Sequence, residues 1–233
     1  MSLFLVLNNR VNRLTSKEPE LELNLIQKVS VFALPVIFAI TMHEAAHGYA
    51  ARYFGDRTAE MLGRISLNPL RHIDPIGTIL VPTITMFLGG VLFGWAKPVP
   101  VNFGNLRHPK QDMFWVAAAG PFANLAMAIF WALVIKVAHG LGGFFGQPLA
   151  MMGMAGITIN AILAALNLLP IPPLDGGRIA VSLLPPKLAY QLARIEPYGL
   201  FILLALVFTG LLSVLIDPLY QAIQSLSLSI IGL

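Results

Sequence analysis

The sequence has no cysteine and little charge. Without thiols there is no disulfide and no thiolate metal site, so a bound metal would need nitrogen and oxygen ligands. Only 11% of residues are charged and 57% are hydrophobic, whereas roughly 25% charged is usual in a soluble domain. That shortage leaves no room for a large soluble domain. Internal repeats and low-complexity tracts are also lacking. The net charge of +4 fits loop lysines and arginines facing anionic headgroups better than a nucleic-acid surface. The opening residues, "MSLFLVLNNRVNRLT", lack the basic, apolar and small-residue succession of a cleaved signal. They are also too interrupted to span.

What is present is a series of apolar runs. Several approach or reach the ~20 residues that cross a bilayer as helix. The reading is an all-α polytopic membrane protein. Four spans are expected, at 29–54 (closed by Gly55), 114–137, 154–169 (stopped by "PIPP") and 200–216. Residues 1–28 read as an N-terminal tail, 29–216 as one intramembrane domain, and 217–233 as a tail or a helix extension. A fifth apolar stretch, 76–95, contains Pro82 and the pair Gly89-Gly90. It reads either as a further span or as a re-entrant hairpin.

Two histidines and a glutamate sit inside the first apolar run, in "ITMHEAAHGYAARYF". His43, Glu44 and His47 form H-E-x-x-H. On a helix, residues four apart share a face, so both imidazoles can reach one ion. Glu44 can then serve a metal-activated water as general base. Catalytic zinc takes three protein ligands and keeps one position open. The remaining histidines, His72, His108 and His139, fall in loops or at span edges. Among the acids, only Glu44 and Asp175 lie beside membrane-depth sequence. Asp175 stands in "NLLPIPPLDGGRI", where three prolines hold the backbone extended and Gly176-Gly177 permit a close approach. The competing reading of Asp175 is a plain Asp-Gly-Gly turn.

"HEAAH", "AAGPFAN" and "NLLPIPPLDGG", in that order, resemble the site-2 protease family of intramembrane zinc metalloproteases. "GRISLNPLRHIDPIGT" and "GWAKPVPVN" are similar to its compact prokaryotic members, without a PDZ-like insert. The likeness runs from about residue 29 to 178. It implies one zinc ion held by His43, His47 and Asp175, with Glu44 as catalytic acid/base. It also implies a transmembrane protein as substrate. Asn124 and Asn167 match family asparagines near the active site. An amide at membrane depth must find partners. Each could donate to a substrate carbonyl or an oxyanion, or could join helices as a hydrogen-bonded contact. Gly120 reads as a close-packing position.

For His43, His47 and Asp175 to meet, the first and third spans must run in the same direction, which favours a re-entrant 76–95. Ten basic residues then lie at the catalytic end: Arg52, Arg57, Arg64, Arg71, Lys97, Arg107, Lys110, Arg178, Lys187 and Arg194. Five lie at the other: Arg10, Arg13, Lys17, Lys28 and Lys136. The imbalance puts the catalytic end in the cytoplasm, with the protein in the cell membrane. Two rival functions remain. A zinc transporter would need more polar residues along its spans than are present. An inactive substrate-binding relative would have no use for Glu44.

Overall fold

The computed structural model describes residues 25–81, 84 and 96–232. Among the described residues every regular element is helical. Helix α1 spans Leu25–Tyr53, 29 residues with Pro35 inside, and is therefore about 43 Å long. It ends at Gly55, whose φ of 114° lies in the region that favours glycine. A short helix α2, Thr58–Met61, follows. Asp74 then accepts the Ile76 and Gly77 amides and starts a wide turn, Pro75–Leu80.

Helix α3, Pro109–Leu141, has proline at its first position, and the Asp112 carboxylate accepts the His108 amide at 2.7 Å. Both are helix-start signals, and they begin α3 five residues before the expected span. Gly142 and Gly143, with φ of 56° and 55°, turn the chain into α4, Gly143–Asn167. These two helices pack closely. A Cβ on Gly153 would come within 2.5 Å of Ile135 Cγ1, and one on Gly156 within 2.1 Å of Trp131 Cγ. Small residues let helix backbones approach in this way where lipid supplies no hydrophobic drive.

After α4 the segment "LLPIPPL" folds back on itself into α5, Asp175–Leu183. A Cβ on Gly176 would overlap the Leu168 carbonyl, and one on Gly177 the Pro172 nitrogen. The close approach expected of this glycine pair is thus made against the chain's own proline segment. Helix α6 is Pro186–Ala193 and α7 is Gly199–Phe208. The expected span 200–216 is not one helix. It breaks at Gly210 (φ 75°), and α8 runs Leu211–Ser229 through Pro218. The stretch after residue 216 therefore belongs to a packed helix. Ile216, Tyr220 and Ile223 join Ala128, Ala161 and Ala165 in the core.

Among the described residues, five stretches are long and apolar enough to cross a membrane: Ser30–Tyr53, Pro109–Leu141, Gly143–Asn167, Pro186–Phe208 and Leu211–Ser229. Large apolar side chains such as Phe38, Phe130, Phe208 and Val214 remain on the outside. In water such a surface would be a liability, but against lipid it is the expected exterior. The protein is an integral, multi-pass membrane protein.

The packing fixes directions. Ala39 and His47 of α1 meet Asn124 and Val116 of α3, in reverse order. Gly146, Gly153 and Gly156 of α4 meet Ala138, Ile135 and Trp131 of α3, again in reverse. So α3 is antiparallel to both neighbours, and α1 and α4 run the same way. Most of 76–95, including Pro82 and Gly89-Gly90, lies outside the described residues. Its described flanks meet: the Lys97 amide donates to the His72 carbonyl at 2.9 Å.

Candidate metal centre

His43 and His47 sit on one face of α1, ten and six residues before its last residue. Asp175 opens α5 and reaches them from the far side of the proline segment. The three ligand atoms form a nearly equilateral triangle. His43 Nε2 lies 3.1 Å from His47 Nε2, and Asp175 Oδ2 lies 3.3 and 3.4 Å from the two nitrogens. A tetrahedral ion with bonds of ~2.0 Å separates its ligand atoms by ~3.3 Å. The triangle has the size of one tetrahedral face.

The chemistry of the donors points the same way. His47 Nδ1 donates to the Val116 carbonyl at 2.8 Å, and His43 Nδ1 meets Asn124 Oδ1 at 2.6 Å. With each ring's proton held on Nδ1, both Nε2 atoms present bare lone pairs to each other. Asp175 Oδ2 is buried and has no hydrogen-bond partner among the described residues. Three unprotonated donors this close repel one another unless a cation lies among them. These residues therefore fit a zinc ion.

Gly120 of α3 makes the space. A Cβ there would stand 2.7 Å from His43 Nε2 and closer still to His47 Nε2. Its expected role in helix packing thus takes the specific form of admitting both rings.

Glu44 is half-buried next to His43. Its Oε2 accepts the Val99 amide at 2.7 Å. In "KPVPV" the prolines flanking Val99 carry no N–H, so Val99 is the only amide donor of Pro98–Pro100. That donor is aimed at Glu44 because Asp56 clamps the next stretch of chain. Asp56 is fully buried at the end of α1 and accepts the Asn102 amide at 2.7 Å, the Asn105 side chain, and the Thr58 amide and hydroxyl. Burial alone would raise the Asp56 pKa. The four hydrogen bonds, led by those from Thr58, outweigh it and hold the carboxyl below its ordinary value.

The two asparagines fall in different places. Asn124 is fully buried behind His43, and its Nδ2 donates to Asn160 Oδ1 at 2.9 Å and to the Ala39 carbonyl at 3.3 Å. Both ends of the amide are taken inside the protein. Of the two readings of Asn124, a donor to substrate or a hydrogen-bonded contact between helices, these bonds match the second. Asn167 ends α4, half-buried, with Nδ2 donating to the Leu163 carbonyl at 3.0 Å. Asn160 was missed in the sequence. Its one signal is its place seven residues before Asn167, on the same helix face.

The model of Peptidase family M50 matches residues 135–210. The chain is 40% identical over 193 residues to "Putative zinc metalloprotease YwhC" of Bacillus subtilis (strain 168), covering 81% of this chain and 85% of that protein. It is 31% identical over 193 residues to "Putative zinc metalloprotease Rip2" of Mycolicibacterium smegmatis, covering 79% and 70% respectively. The chain belongs to peptidase family M50, the site-2 protease family. As an M50 member it is a zinc metalloprotease. No solved structure matches it. The family model's span contains Asp175 but not the H-E-x-x-H helix. The match to that region is thus independent of the motif that first suggested zinc.

Proposed function

We propose that this M50 member is an intramembrane endopeptidase that cleaves transmembrane segments of other membrane proteins. The observation that carries this reading is the depth of the ligand triangle. His47 and His43 lie roughly 9 and 15 Å short of the C-terminal end of α1, within a helix apolar enough to span. His43, His47 and Asp175 would hold a zinc ion, which when bound would supply Lewis-acid chemistry and lower the pKa of a water. Glu44 takes the water's proton and returns it to the leaving amide nitrogen. The Val99 amide holds Oε2 in place and leaves Oε1 for this transfer. Asn124 keeps His43 oriented. Asn167 has a second N–H beyond the one on Leu163, and it offers that hydrogen to the substrate backbone.

The substrate helix must unwind locally, since its peptide bonds are shielded by its own hydrogen bonds. Helix-breaking residues near the scissile bond therefore favour cleavage. The basic residues gathered at the catalytic end support a cytoplasmic position for that end, in a protein of the cell membrane. The polar groups at membrane depth support a protease over a transporter: Asn124 and Asn160 converge behind His43. The test is to reconstitute the protein in proteoliposomes with single-span substrates and to map the cut by mass spectrometry. Cuts should fall inside the span and increase when glycine or proline is placed beside them. Cuts confined to the water-exposed flanks would contradict the reading.

A further inference from the structure

Behind His43 runs a line of polar groups whose polarity is fixed from one end. The Gly156 carbonyl can only accept, and it takes the Asn160 Nδ2 hydrogen at 2.8 Å. This turns Asn160 Oδ1 toward Asn124, whose Nδ2 donates to it at 2.9 Å. Asn124 Oδ1 is then left to face His43 Nδ1, at 2.6 Å. If the Asn124 amide were flipped, its N–H would face the ring instead. His43 would then accept at Nδ1 and carry its proton on Nε2, where the lone pair for the metal must be. The orientation of one amide therefore decides whether His43 can be a ligand.

We propose that Asn160 of α4 is a positioning residue for the metal centre, holding the Asn124 amide in the orientation that leaves His43 Nε2 bare. This rests on the reading of His43 as a zinc ligand. Both asparagines are 0% exposed, so water does not compete for these bonds. The other acceptor available to Asn124 Nδ2, the Ala39 carbonyl, is more distant at 3.3 Å. A contact serving only to join α3 to α4 would work in either polarity. Here the Gly156 carbonyl selects one. Partners behind a ligating histidine typically change metal affinity ~10–100-fold when removed.

The experiment is a double-mutant cycle read by zinc affinity, using chelator competition on the purified full chain in detergent. Asn160→Leu should weaken zinc binding about tenfold and shift the visible bands of the Co2+-loaded protein. Because Asn160 acts through Asn124, Asn124→Leu/Asn160→Leu should bind zinc no more weakly than Asn124→Leu alone. A role in helix packing alone would lower the melting temperature of the zinc-free protein and leave zinc affinity and the Co2+ bands unchanged. Wild-type zinc affinity in Asn160→Leu, or losses that multiply in the double variant, would overturn the proposal. If leucine is not tolerated, Asn160→Ala runs the same cycle. A His43→Ala variant with undiminished zinc affinity would instead overturn the reading of the site itself, so the two failures are distinct.

Discussion

At the scale of single residues, the site depends as much on what is small as on what binds. Gly120 illustrates this. Gly120→Ala adds one methyl group, and that methyl would sit among the atoms that meet the metal. The expected result is loss of zinc, measured as metal per protein, together with activity, while the helical content by circular dichroism holds. Much of the site was legible in the sequence. Two histidines four apart on an apolar helix, with a carboxylate beside them, cost too much in lipid to be incidental. Asp175 followed from a count of the acids at that depth. The partners behind the ligands were not legible. Asn160 sits in "GITINAILAAL", where a lone amide looks the same whether it joins helices or steers a ligand. Only the bond to Asn124 separates the two.

At the scale of elements, the stretch 96–108 is fixed to the end of α1. The Arg107 amide donates to the Phe54 carbonyl at 3.0 Å, and Asp56 gathers Asn102 and Asn105. Asp56→Ala should leave several donors unpaired and cost about 1–3 kcal/mol. It should also slow cleavage without loss of zinc, because Val99 would no longer be held against Glu44. The pH dependence has a definite sign. The folded carboxyl has a lowered pKa, so its contribution is complete above the unfolded value of about 3.9. It is lost as pH falls below that, through the lower folded value. Melting temperatures of the wild type and Asp56→Ala should therefore differ at neutral pH and converge in strong acid. A difference that grows on acidification would contradict the clamp. Element boundaries were less legible than element existence. The break at Gly210 lies in "LVFTGLLSV", where a single glycine in an apolar run is compatible with an unbroken helix. The early start of α3 was signalled by Pro109 and Asp112, but those residues precede the apolar run that hydropathy detects.

At the scale of the whole molecule, α1 and α4 run in the same direction and bring their C-terminal ends to one side. The direct contacts among 52–60, 72 and 97–107 put both loops that flank 76–95 on that side. The native chain has no cysteine, so single cysteines introduced at Arg57, Leu67 or Arg107 report cleanly. All three should react with a membrane-impermeant thiol reagent from the cytoplasmic face only. Labelling of 57–74 and 97–110 from opposite faces would overturn the arrangement. The shared direction of α1 and α4 was readable from the need for His43, His47 and Asp175 to meet, whereas the basic residues alone fit either course of 76–95. The central claim is that Glu44 does the proton work at a zinc ion it does not bind. The measurement that tests it is the turnover of a transmembrane substrate by Glu44→Gln protein of verified zinc content. The account predicts a full complement of zinc and no cleavage; wild-type turnover, or loss of the zinc itself, would contradict it.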